Sequence, residues 1–315
     1  MGQGRIPAID TFRGIVIAGM VIANHLSPLP STPVWLRHAP TFKGITILDI
    51  GFPFLLFILG LLMPLSYERR LVQSGPGRTL LHFLKRNSLF IAFGLAGNAV
   101  LGQNPLHWWS VLSAIGLAGL LGLPFVRLRP GLRLATGILL WIAFELIRRL
   151  GYQEWLLAND RGELGGPPAA IAWAGLILVA SFLSRDLERP DRTSRASAIL
   201  GLALVGIGLG LSPFVPVTKP LVTISYLAIT TGLAAIGLAL VLLLDRFIRF
   251  RLTHFIILGS NPLLVYMLSG LLSETGHRLL SLASLWAALL SAAGVYALCF
   301  LVARFLYRRS ILLRV

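Results

Sequence analysis

Only 12 of the 315 residues are Asp or Glu, and a single cysteine, Cys299, sits in an apolar run. One cysteine excludes a disulfide framework and a cysteine-built metal site. Charged residues of both signs come to 13%, against about 25% in ordinary soluble domains. Hydrophobic residues make up 56% before the 32 glycines are counted. Too little polar surface remains to cover a soluble fold, and the same composition excludes disorder. Strand-like alternation of apolar and polar residues is absent, which leaves helices to span lipid. There is no P-loop, no G-x-G-x-x-G and no G-x-S-x-G. The six histidines and twelve acids show no ligand spacing such as H-E-x-x-H, so no metal site is expected. The first apolar run lacks a small-residue cleavage site, so no signal peptide is expected.

What is present is a series of apolar runs. A helix needs about 20 apolar residues to cross the hydrocarbon core. The runs are 12–27, 46–66, 87–103, 109–126, 134–147, 168–184, 197–215, 221–244, 255–273 and 281–304. The expected fold is all-α: one domain over 1–315, a polytopic membrane helical bundle of about ten transmembrane helices. The net charge of +16 would suggest nucleic acid in a soluble protein. Here it reads instead as Lys and Arg gathered on cytoplasmic loops, with no nucleic-acid partner. With the N-terminus inside, only Arg37, Lys43, Arg148, Arg149, Arg161, Lys219 and Arg278 fall outside; the other 21 of the 28 Lys and Arg fall inside. That asymmetry puts both termini in the cytoplasm.

Polar groups within such a chain need a reason, because lipid offers them no partner. Arg13 follows Asp10 and Thr11 at the start of the first run, where either could cap a helix. Asn24 and His25 stand at the other end of that run. His38 lies in the next loop, and Asp49 follows it early in the second run. A carboxylate there can reach the histidine and fix its tautomer; alternatively His38 is an interfacial residue and Asp49 a helix cap. Asn261-Pro262 interrupts the ninth run, where proline bends a helix and the amide enters the bundle. Lys85 and Arg86 lie on the side where a phosphorylated donor would need cations, although positive-inside charge accounts for them equally.

These residues sit in recognisable surroundings. Arg5-Ile6-Pro7-Ala8-Ile9-Asp10-Thr11-Phe12-Arg13-Gly14 followed by Asn24 resembles the opening of the heparan-α-glucosaminide N-acetyltransferase family. Leu36-Arg37-His38-Ala39, then Gly44-Ile45-Thr46-Ile47-Leu48-Asp49 with Phe52-Pro53-Phe54, is similar to its L-[RK]-H-A…G-[LW]-T-x-x-D-x-x-F-P segment. Pro216-Val217-Thr218-Lys219, Gly259-Ser260-Asn261 and the basic tail Tyr307-Arg308-Arg309 also match in order. The family's V-L-Q-R-[IL]-G helix appears as Val111-Leu112-Ser113-Ala114-Ile115-Gly116, without its two polar side chains.

The resemblance implies a transmembrane acyltransferase of a bacterial inner membrane. It would move an acetyl or other acyl group from cytoplasmic acetyl-CoA to an amino sugar or glycan on the far side. The family's active-site histidine falls on His38, its carboxylate on Asp49, and its amides on Asn24 and Asn261. Arg13, Lys85 and Arg86 would face the CoA phosphates. Distant acyltransferase-3 relatives use R-x(10)-H in their first helix; Arg13 to His25 is one residue too long, which favours His38. Besides lipid, acyl-CoA and acceptor, the partners left open are a second copy or a larger membrane complex. Two other readings remain: a non-catalytic membrane subunit, and a small-molecule transporter built around the interrupted ninth helix.

The charge asymmetry gives a direct test of topology. In a Cys299→Ala background, Ser31→Cys is expected to react with an impermeant thiol reagent from outside, and Ser74→Cys only after the membrane is permeabilised. Labelling of Ser74→Cys from outside would reverse the orientation.

Overall fold

The computed structural model describes residues 7–40, 42, 44–100, 109–158, 163–248, 252–280 and 282–311. Among them all regular structure is helical. The helices are α1 (Pro7–Leu26), α2 (Gly51–Val100), α3 (Val111–Gly122), α4 (Pro130–Ile147), α5 (Gln153–Ala158), α6 (Ala170–Ser181), α7 (Pro190–Leu211), α8 (Ile224–Ile248), α9 (Thr253–Ser260), α10 (Pro262–Leu279) and α11 (Leu285–Arg308). The chain is an all-α membrane helical bundle, and each of the ten apolar runs carries helix over most of its described length. Among the described residues, seven helical segments are long and apolar enough to cross a membrane, or eight if one bent pair counts as a span. The runs 46–66 and 87–103 share one segment, Ile47–Ala99, and Val111–Phe125 is a shorter apolar helix. Within α2 the helical pattern is interrupted at Gly75 (φ 75°, ψ 171°), a positive-φ conformation open to glycine, just before Pro76.

Three expectations need correction. Residues 67–86, expected as a loop between two runs, are helical within α2 except at Gly75. Residues 148–167, expected as an outside loop, are helical in part: a π-segment at Arg148–Tyr152, broken by non-helical backbone at Leu150 (ψ 23°) and Gly151 (φ 109°), leads into the short helix α5. The cause is local pairing: Arg148 is only 6% exposed, and its guanidinium donates to Glu145 and Gln153 on either side of that break. The interrupted ninth run is not a bent helix but two helices, α9 and α10, at 85° to each other. Asn261 is the joint, with φ −131° and ψ 62°, and Pro262 opens the new helix at a position where a missing N–H costs nothing.

The chain forms two compact units. The first comprises Met1–Pro40, Ile45–Gly51 and Gly237–Val315. In it α1 packs on α9, α10 and α11. Its core contains Ile9, Phe12, Ile17, Val21 and Leu26 of α1, with Leu258, Val265, Ala288 and Cys299 also buried. The second comprises Thr41–Gly44 and Phe52–Ile236. In it α3 and α4 both pack on α6, a helix buried on all sides around Trp173. The indole N–H groups of Trp141 and Trp173 donate to the carbonyls of Ala172 and Leu164, at 3.0 and 3.1 Å, so neither aromatic buries an unmet donor.

Close helix crossings depend on small residues, as in membrane bundles generally. The crossing of α1 and α9 is the tightest: a Cβ on Gly14 would lie 1.8 Å from the Phe255 carbonyl oxygen. Neither backbone can retreat without losing the packing of α1 on α9. Gly14→Ala is therefore expected to destabilise the first unit by about 3 kcal/mol or more, whereas Gly19, with nothing within 4 Å of its Cβ position, tolerates alanine. Thermal unfolding of the two variants in detergent tests this; equal midpoints would show that the crossing yields.

Candidate active site

The site is built at the end of α1, within the first unit. Helix α1 stops before Pro28, which has no N–H to continue the ladder. The following segment has little regular structure, so its backbone groups are met by side chains. Thr32 Oγ1 donates to the Leu26 carbonyl at 2.8 Å, and Ser31 Oγ to that of Leu282 at 2.9 Å. Arg37 Nε donates to the Thr32 carbonyl at 2.7 Å, and another guanidinium nitrogen reaches the Pro30 carbonyl. Arg37 thus stitches the loop together. The next residue, His38, has its N–H donated to Ser27 Oγ at 3.2 Å.

Asp49 lies in a 3₁₀ turn, Ile47–Ile50, that leads into α2. Thr46 and Asp49 form a capping box, each side chain accepting the other's backbone N–H. Asp49 is therefore a cap, one of the two expected readings, and at the same time a partner of the histidine. Its Oδ2 accepts from the N–H groups of Ala39, at 3.1 Å, and Thr46, at 2.9 Å. Its Oδ1 stands 2.7 Å from His38 Nδ1. The Thr46 hydroxyl donates to the Arg37 carbonyl at 2.7 Å, joining the two strands of the loop. The carboxylate side chain is 1% exposed and the imidazole 44%.

The chemistry follows from that asymmetry. A buried carboxylate holds Nδ1–H as a donor, so in the neutral ring the lone pair is on Nε2. The ring is fixed in orientation by the carboxylate and accessible from outside the fold. A base with an orienting carboxylate is what proton removal from an attacking nucleophile requires.

The other expected residues are placed differently. Asn24 is half-buried within one turn of Ser27, at the same end of α1 as His38. Asn261 is 1% exposed, and its Nδ2 donates to the Ile311 carbonyl at 3.1 Å. It follows Gly259, whose Cβ position is 2.9 Å from the Asp10 carbonyl and the Gly14 nitrogen. From Gly14 to Ser27 a rise of about 1.5 Å per residue amounts to about 20 Å. Asn261 is thus at the opposite end of α1, and it does not share a reacting carbonyl with His38. Arg13 is at that far end too, donating to Asp10 at 2.7 Å.

Lys85 and Arg86 belong to the second unit, on α2. Lys85 is exposed. The Arg86 guanidinium is 5.0 Å from the centroid of the Phe83 ring, and its buried Nε and Nη2 have no hydrogen-bond partner among the described residues. Unmet guanidinium donors suit an anionic ligand. No group of three or more His, Cys, Asp or Glu among the described residues could hold a metal ion.

Residues 5–188 match the family model described as heparan-alpha-glucosaminide N-acetyltransferase, catalytic. The chain belongs to this family. A comparison with curated proteins gave no match. Helix α1, the loop with His38 and the turn with Asp49 all lie inside the span matched to the heparan-α-glucosaminide N-acetyltransferase family, while α9–α11, which support α1, lie outside it.

Sequence reasoning did not single out Ser27, Thr46, Ser273, Glu145 or His277. For Ser273 and His277 a signal existed, since residues four apart share one helix face and both lie near the end of an apolar run. Glu145, buried with Arg148 and also accepting the Ile224 N–H at 3.4 Å, had the weaker signal of opposite charges at i and i+3.

Proposed function

We propose that the chain, acting as one domain over 1–315, transfers an acetyl or related acyl group from cytoplasmic acyl-CoA to an amino sugar on the opposite face of a bacterial inner membrane, with both termini in the cytoplasm. The observation that carries this reading is the 2.7 Å contact of His38 Nδ1 with the buried Asp49 carboxylate, in a chain of the acetyltransferase family. His38 Nε2 takes a proton from the acceptor amine as the amine nitrogen attacks the thioester carbon. The carbon–sulfur bond then breaks, and CoA leaves as its thiolate. Asp49 stabilises the imidazolium formed in that step. Asn24, at the same end of α1, is the candidate hydrogen-bond donor to the developing oxyanion.

The donor phosphates are assigned to Lys85 and Arg86, on the strength of the unmet Arg86 donors. Arg13 already donates to Asp10, and Asn261 to the tail carbonyl of Ile311, so both are read as holding the far end of α1. The break between α9 and α10 is the one feature favouring a transporter. Its amide donates to the chain's own tail, which argues for a structural joint.

With the full chain in nanodiscs, acetyl-CoA as donor and glucosamine as acceptor, thiol release is expected in the wild type. His38→Ala should lower the rate about 10³-fold, and Asp49→Asn about 10²-fold or more. Arg86→Gln should raise the KM for acetyl-CoA with a smaller effect on kcat. Transfer at the wild-type rate in His38→Ala would overturn the assignment of the base.

A further inference from the structure

Where α1 ends, a second polar group is buried that the proposed chemistry does not use. His25 is 0% exposed and Ser273 4%, and His25 Nδ1 is 3.1 Å from Ser273 Oγ. The His277 ring, four residues further along α10, lies 4.7 Å from the His25 ring, centroid to centroid. Its Nε2 is 2.9 Å from the His25 carbonyl oxygen.

That last contact has a specific cause. The final carbonyls of a helix lose their partners, and inside a bundle no solvent replaces them. The His25 carbonyl would ordinarily accept the Leu29 N–H, but that N–H donates to Leu26 at 3.1 Å. His277 supplies the missing donor. Since a carbonyl only accepts, Nε2 of His277 carries the proton.

The clamped turn leads straight to the base. Ser27 follows two residues after His25, keeps its own N–H on the Ala23 carbonyl at 2.9 Å, and accepts the His38 N–H on its hydroxyl at 3.2 Å. On the same stretch Leu26 and Leu29 pack with Ala288 and Ala292 of α11. We infer that His277 is a positioning residue for His38: it holds the last turn of α1 against α10, and Ser27 passes that placement to the His38 backbone. The inference rests on the reading of His38 as the base. It brings α10, outside the span that defines the family match, into control of the site.

The test uses the full chain in nanodiscs with acetyl-CoA and glucosamine as probes. His277→Ala is expected to lower kcat about 10-fold or more, leave the KM for acetyl-CoA unchanged, and speed hydrogen exchange at the His38 amide. His277→Gln keeps an N–H donor of similar reach without an imidazole and should restore most of the rate. The His277→Ala/Ser27→Ala double variant should be no slower than either single variant, because both act through one chain of contacts. If His277→Ala does not fold, Ser27→Ala alone carries the test, with the same loss of kcat expected. A wild-type rate in His277→Ala or Ser27→Ala, with His38→Ala inactive, overturns the inference and leaves the base in place. A His277→Gln variant as slow as His277→Ala also overturns it, since the imidazole itself would then be needed. Activity surviving in His38→Ala removes the reading beneath it.

Discussion

Asp49 is a carboxylate with 1% of its side chain exposed, and a buried carboxylate keeps its charge only when several donors face it. The donors here are two backbone N–H groups and an imidazole. They come from residues 38, 39 and 46, so the loop must fold back around the carboxylate to bring them together. The Arg37 and Thr46 side chains then tie the loop to itself. Satisfying one buried charge thus orders the segment that carries the histidine. It also leaves that histidine with one nitrogen committed and its ring 44% exposed.

Helix α1 separates two kinds of environment along its length. At the Gly14 end the contacts are backbone on backbone: Gly14 and Gly259 let α1 and α9 approach within a distance no side chain permits. That end is also where Asn261 donates to the chain's tail. At the Ser27 end the helix has run out of N–H donors, and side chains from α10 and the following loop complete its hydrogen bonds. A rigid end and a polar end on one helix follow from where glycine and proline fall in it. The polar end is where chemistry can be placed, because its groups are already directed by partners.

Much of this was legible in the sequence for reasons of locality. The apolar runs read as helices because each residue's transfer free energy depends little on its neighbours. His38 and Asp49 are near in the chain, and Asp49 opens an apolar run where a helix cap is expected, so their meeting needs only a local turn. The errors are equally physical. Arg148 and Arg149 looked like loop charges, but Glu145 on the preceding turn meets them both, and the helical backbone breaks only after them, at Leu150 and Gly151. Asn261 looked like a group entering the site, but the close approach of Gly259 to Asp10 and Gly14 puts it at the far end of α1.

The sequence by itself determined the membrane class and where most of the apolar helices fall, and it put a histidine within reach of a carboxylate, because composition, hydropathy and short-range capping act within a turn or a loop. Only the tertiary structure decided which amide stands near that pair and what holds the end of α1. His277 and the His25 carbonyl are 252 residues apart in the chain, and His25 and Ser273 are 248 apart. No local preference brings such groups together. They meet because α1 and α10 pack side by side, and a helix end without water takes its last hydrogen bonds from whatever the neighbouring helix presents.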